Sequence, residues 1–258
     1  MFGYDAGVLG GVQETEPFRD AIGNPSGTYI IPMIASSYTL ACWVSSTAYM
    51  FIGHPLGRRR TILLGDGFVI VGGSLQASSW SVPQIIIARV LCGFGVGLIS
   101  CAVLTYMSEM SIKKTERGRE AANQSSWLIG GVALAYWLDF GFTQSASQWS
   151  WRIPIALQSL FAAISFAIML MLPDTPRWYY STGQTERGDS VLASLHSQPL
   201  MSEPVQHTKT EIMDAISLES SHAKLNLLDL LWDRSKLKSG RRLRIAFLIL
   251  TIQQLMGA

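Results

Sequence analysis

"IIPMIASSYTLACWVSSTAYMFI", residues 30–52, holds no acidic or basic side chain. A hydrocarbon core is crossed by a helix of ~20 apolar residues, and a soluble surface helix of that length keeps a charged face. The stretch is therefore read as a membrane span, and the same reading extends outward from it. Residues 61–80 carry only Asp66, residues 82–107 only Arg89, residues 122–140 only Asp139, and residues 153–173 no charge. Residues 1–12 are apolar except for Asp5, and residues 245–258 have similar character, but both are too short to cross. Five complete spans are expected, with a partial span at each end.

The bulk composition agrees. Of 258 residues, 48% are hydrophobic and 15% charged, against about 25% charged in ordinary soluble domains. The net charge of +2 does not point to nucleic acid, because the basic residues stand in blocks. Arg58, Arg59 and Arg60 follow the second span, Lys113, Lys114, Arg117 and Arg119 follow the fourth, and most others lie between Arg177 and Arg244. The opposite connections, 13–29, 77–82 and 141–151, contain only Arg19. Basic residues stay on the cytoplasmic side, so the spans alternate from an inside start. Cys42, Cys92 and Cys101 lie in apolar runs without metal-ligand spacing, which predicts packing roles. No metal or cofactor is expected, and no secretory signal is visible.

Residues 174–244 differ in kind. Apolar residues recur at three- and four-residue spacing in "ERGDSVLASLHSQ" and "KTEIMDAISLESSHAKLNLLDLLWD", as in amphipathic helices. The prolines of "SQPLMSEPV" separate one helix from the next. A cytoplasmic helical insert is predicted, with His196, His207 and His222 on solvated faces rather than on a metal.

Polar side chains inside spans are costly unless paired or facing water. Asp5 and Arg89 are the informative ones: desolvation favours a neutral carboxyl, whereas a nearby guanidinium favours the ionised form, so such a pair can switch protonation state. Gly93, Gly95 and Gly97 follow Arg89 and permit close helix approach.

These residues also fall into a known pattern. The whole chain resembles the sugar porter family of the major facilitator superfamily, most like its fungal members. "FGYDAGVLGG" resembles the first-span signature, "GHPLGRRR" the loop D-R-x-G-R-R, and "RVLCGFGVG" the fourth-span R-x-x-x-G-x-G-x-G. "YMSEMSIKKTERG" resembles S-E-x-x-P-x-x-x-R-G, "WRIPIALQ" the sixth span, "PDTPRWYYSTG" the element P-E-S-P-R-W-L, and "QQLMGA" the seventh-span Q-Q-x-x-G-x-N. His54 and Pro55 stand where the family loop has its acidic and basic residues, Ile112 replaces a proline, and Asp174 replaces glutamate in what reads as a minor change.

The resemblance implies an all-α membrane fold. Residues 1–173 would form an N-terminal bundle (spans 1–12, 30–52, 61–80, 82–107, 122–140 and 153–173), residues 174–244 the insert, and residues 245–258 the start of span seven. The chain would then be about half of a twelve-span transporter, with the C-terminal half missing. It further implies alternating-access transport of a sugar, with Asp5 and Arg89 coupling it to protons. Gln124, Gln253 and Gln254 would bind substrate, and Arg58, Arg59, Glu109, Arg117 and Arg177 would form a cytoplasmic gate. Partners would be a sugar, a proton and the lipid bilayer, with the plasma membrane as host. A non-transporting sugar sensor or a truncated relic is the alternative. An enzyme is disfavoured: no nucleophile–base pair or phosphate loop is visible, and "GFGVG" lies inside a span.

Overall fold

The computed structural model describes residues 2–13, 15–23, 29–111, 116–144, 147–221, 245, 248, 249 and 252. All regular structure among them is helical. In chain order the helices are α1 (Phe2–Val12), α2 (Glu16–Ala21), α3 (Ile30–Leu56), α4 (Arg58–Ala77), α5 (Val82–Met110), α6 (Glu116–Thr143), α7 (Trp149–Met171), α8 (Pro176–Ser181), α9 (Thr185–His196) and α10 (Glu203–Ser221). Two compact units divide them, residues 1–205 and 206–258. In the second, α10 continues as a helix on which His207 Nδ1 lies 4.0 Å from Glu211 Oε1, both exposed.

Glycine spacing decides how the bundle closes. A step of two residues turns a helix by about 200°, so Gly93 and Gly97 of α5 point one way and Gly95 the other. Gly93 lies against the Tyr38 carbonyl and Gly97 against Cys42 and Ser45, all on α3, whereas Gly95 meets Gly65 and Val69 on α4. The "GFGVG" run thus wedges α5 between two neighbours at backbone contact. A second seam joins α1 to α6: Gly3 meets Leu128, Gly7 meets Val132 and Ala135, and Gly11 meets Asp139. The four-residue repeat keeps every glycine on one face.

Around these seams the apolar core forms three clusters. One gathers Tyr4, Val8, Val12, Phe18, Trp151 and Ile155, with the Phe18 and Trp151 rings edge-to-face at 5.4 Å. The second contains Tyr38, Val69, Cys92, Val96 and Ala162, and the third Ile62, Ala102 and Met169. Outward faces remain apolar too: Trp43, Ile129, Trp137 and Phe140 are all more than half exposed, a surface that suits acyl chains and not water.

Several boundaries differ from the sequence expectation. α3 runs to Leu56 through Pro55, and α4 begins at Arg58, so Arg58–Arg60 occupy the first turn of a helix and not a loop. Only Gly57 separates the two helices. α6 starts at Glu116 and α7 at Trp149, because charged residues continue a helix readily once they can reach past the apolar zone. Arg152 therefore lies in the first turn of α7, at the end of the bundle opposite Arg58–Arg60 and an exception to the expected charge asymmetry; it donates to Ala77 O (2.9 Å) and Ser79 O (3.2 Å) and lies 4.2 Å from the centre of the Trp80 ring. The short helix α2 was not anticipated. The first compact unit runs to Val205 and so includes α8 and α9.

Among the described residues, two helices, α5 and α7, are long and apolar enough to cross a membrane on composition alone. Hydroxyls are frequent along α3, whereas α4 opens on Arg58–Arg60 and holds Asp66 within it. Such hydroxyls are turned back onto their own helix: Ser36 donates to Pro32 O, Ser37 to Ile34 O, Thr47 to Trp43 O, Ser74 to Ile70 O and Ser126 to Ala122 O. A hydroxyl satisfied in this way lowers hydropathy without leaving a polar group bare.

Candidate functional site

Two polar constellations stand out in the first unit. The first ties together the C-terminal ends of α3 and α5 and the N-terminal ends of α4 and α8. Arg58 Nη2 donates to Glu109 Oε1 at 2.7 Å, with both side chains largely buried. The other Glu109 oxygen accepts from the Thr175 hydroxyl at 2.7 Å, and Thr175 Oγ1 in turn caps α8 by accepting from Trp178 N–H. Asp174 accepts from Thr175 N–H through one oxygen and from Arg59 N–H through the other. The Arg59 side chain donates to the last carbonyls of α7, Met169 O at 3.0 Å and Leu170 O at 2.8 Å. Cations belong at helix C-termini, so Arg59 both caps α7 and fixes it to α4.

Gly57 makes this packing possible. Its φ of +89° lies where L side chains are strained, and a Cβ there would stand 2.6 Å from Asp174 Oδ2. His54 contributes its backbone carbonyl, which accepts from Trp178 Nε1 at 3.1 Å. Glu109 is thus the acidic partner of the Arg58 side chain, whereas Asp174, read from sequence as a minor change, accepts from the Arg59 backbone N–H and lies against Gly57. Tyr180 on α8 donates to Asp189 on α9 at 2.8 Å; burial, and secondarily that carboxylate, push the Tyr180 hydroxyl pKa up.

The second constellation lies deeper. Asp5 on α1 and Arg89 on α5 are almost wholly buried, with Nη1 and Oδ1 3.7 Å apart. That is an ion-pair distance but not a hydrogen bond, and neither Asp5 oxygen has a hydrogen-bond partner. The Arg89 guanidinium carbon lies 5.3 Å from the centre of the Tyr38 ring, a cation–π contact. Asp5, Gln13, Tyr38, Thr39 and Arg89 line a cleft of about 290 Å³. A loosely held carboxylate beside water-accessible space can change its proton occupancy without dismantling the fold.

Of the residues singled out in the sequence, the structure brings together Asp5 with Arg89 and Arg58 with Glu109, and sets Arg59 beside that pair. Arg177 lies on α8 at the same end. Arg117 is in the first turn of α6, with its side chain outside the described residues. Gln124 lies on α6, half-buried, and its Oε1 has no hydrogen-bond partner. Gln253 and Gln254 fall outside the described residues. Thr175, Asp174 and Tyr38 were not assigned roles from sequence; a hydroxyl or ring within a motif gives no sign of which distant carboxylate or cation it meets.

Comparison with known proteins adds an independent line. The family described as Sugar (and other) transporter matches residues 1–258. The chain is 30% identical to a sugar transporter of Saccharomyces cerevisiae, STL1, over 100% of its own length and 47% of that protein. It is also 30% identical to probable inositol transporter 2 of Arabidopsis thaliana, again over 100% of this chain and 43% of the relative. Its fold matches the proton:xylose symporter XylE, solved with 6-bromo-6-deoxy-D-glucose, at a TM-score of 0.79 and 19% identity, covering 91% of this chain and 54% of the symporter. The chain spans about half the length of the curated relatives it matches.

Proposed function

Because the chain belongs to the Sugar (and other) transporter family, a family of multi-pass membrane transporters of the major facilitator superfamily and not of enzymes, we propose that it forms the N-terminal bundle of a proton-coupled sugar transporter. The buried Asp5–Arg89 pair beside the cleft carries this reading. In such carriers the substrate lies at the bilayer midplane between two six-helix halves, which rock about it. Residues 1–173 supply the first half, residues 174–244 the cytoplasmic helices, and residues 245–258 the beginning of the second half.

The coupling follows from charge balance. With Asp5 ionised, Arg89 is held by its carboxylate. When Asp5 takes a proton, that attraction ends while the Tyr38 ring remains against the guanidinium. The guanidinium then biases α5 against α3, which shares the Gly93 contact with it. At the inner end, the Arg58–Glu109–Thr175 chain holds α4, α5 and α8 together and must loosen for release to the cytoplasm. Gln124, with Gln253 and Gln254, recognises the solute: an amide offers two donors and an acceptor, which match adjacent sugar hydroxyls without the desolvation penalty of a charge. Arg117 and Arg177 complete the gate, and the plasma membrane is the host.

The test is uptake of labelled hexose, pentose and polyol by cells lacking hexose transport that express the full-length protein. Accumulation that collapses with a protonophore, and an Asp5→Asn variant that equilibrates but does not concentrate, support symport. Uptake indifferent to the proton gradient rejects it.

A further inference from the structure

The α1–α6 seam ends on a group that the coupling scheme above does not use. Asp139, on the outer half of α6, is 3% exposed, and neither of its oxygens has a hydrogen-bond partner. Its carboxyl group rests on the backbone of Gly11, so close that a Cβ at residue 11 would overlap Oδ2 and crowd the rest of the group. The site is therefore shaped around this side chain at the expense of any side chain on the facing turn.

Among the described residues, its surroundings offer no cation and no hydrogen-bond donor to hold a negative charge. α1 presents Gly7 and Gly11 along the seam, and its one titratable group near Asp139 is Tyr4, whose hydroxyl donates instead to Pro154 O at 2.7 Å. From α7, Trp151 and Ile155 are apolar members of the adjoining cluster, and Arg152 is committed to the carbonyls of Ala77, the last residue of α4, and of Ser79. From α2, Phe18 joins the same cluster, whereas Arg19 and Asp20 are exposed. An ionised carboxylate shut into this seam would be unpaired in a low-dielectric site, the condition that drives a group to its neutral form. A neutral acid, with the volume of an asparagine, fits it.

We propose that Asp139 is a second proton-binding site: it carries a proton while the outer ends of α1 and α6 are packed together and loses it when that seam opens to water. Proton occupancy at Asp139 and closure of the seam are then one equilibrium. α1 carries Asp5 six residues before Gly11, so a shift of α1 at its outer end is felt at the Asp5–Arg89 pair. Asp139 thereby lets the proton concentration outside bias the bundle before the solute arrives. This rests on the transporter reading for its purpose, but not for its chemistry.

The chemistry is tested without transport. Infrared spectra of the full-length protein in lipid nanodiscs are compared in H2O and D2O at neutral pH for the wild type and for Asp139→Asn, Asp5→Asn and Asp66→Asn. The proposal expects a carboxylic-acid C=O band that loses the contribution of one carboxyl in Asp139→Asn and keeps that contribution in the other two. Gly11→Ala, which displaces the Asp139 carboxyl from the seam, should weaken the same band and serves if Asp139→Asn does not fold. An acid band untouched by both Asp139→Asn and Gly11→Ala, or an ionised carboxylate band removed by Asp139→Asn, overturns the proposal. Uptake indifferent to the proton gradient, with the Asp139 band present, would instead sink symport and leave the second site standing.

Discussion

Removing the Arg58–Glu109 ion pair should reveal a coupling well above that of a surface salt bridge. Arg58 and Glu109 meet at 2.7 Å with side chains 11% and 8% exposed, and Glu109 is held from its other oxygen by Thr175. Exposed pairs are worth ~0.2–1 kcal/mol, but a charged hydrogen bond in a partly dry site contributes ~1.5–3 kcal/mol. The two-fold geometry around Glu109 places this pair in the second class. A double-mutant cycle of Arg58→Gln and Glu109→Gln, read as reversible unfolding free energy in lipid, should return a coupling of ~1.5–3 kcal/mol. At about 1.4 kcal/mol per tenfold, this is roughly a 10- to 150-fold change in the folding equilibrium. The cycle repeated in Thr175→Val should give a smaller coupling, because Glu109 then has freedom to leave Arg58. A coupling below ~0.5 kcal/mol, unchanged in Thr175→Val, would refute the network argument.

Other expectations follow from individual contacts. Gly57→Ala should destabilise by more than ~2 kcal/mol, through both its left-handed backbone and the crowding of Asp174, and should fail to recover when Asp174 is also shortened to Ser. Gly93→Val should push α3 from α5 at the Tyr38 carbonyl and lower the unfolding temperature, whereas Gly118→Ala, whose Cβ meets nothing within 4 Å, should not. Tyr180 gives a pH signature. Its hydroxyl releases a proton later in the fold than the ordinary value of 10.0, so above that pH the unfolded chain binds fewer protons and stability falls with rising pH. Tyr180→Phe should cost ~1 kcal/mol near neutrality and abolish that alkaline component in a denaturation series.

The sequence displayed what depends on composition and left out what depends on partners. Uncharged runs such as residues 30–52 and the glycine steps of residues 93–97 are periodic properties, and they predicted helices and close packing that the structure shows. Helix ends were misplaced where charge was taken as a boundary: Arg58 and Arg152 continue their helices because long cationic side chains reach carbonyls and carboxylates near the membrane edge. Asp174 was undervalued because its significance lies in Gly57 and Arg59, more than a hundred residues away in sequence. Asp66 and Asp139 were visible as charges within spans. Only packing shows that Asp66 accepts from Ser165 at 2.9 Å whereas Asp139 has no donor among the described residues.

The central claim is that proton occupancy of the Asp5–Arg89 pair is tied to movement of a sugar. The direct measurement is the pH of a weakly buffered suspension of energised cells expressing the full-length protein, followed as a transported sugar is added. Alkalinisation that tracks uptake, and its disappearance in Asp5→Asn while sugar exchange across the membrane continues, is the expected result. Sugar entry with no change in external pH, or alkalinisation that persists in Asp5→Asn, would contradict the account.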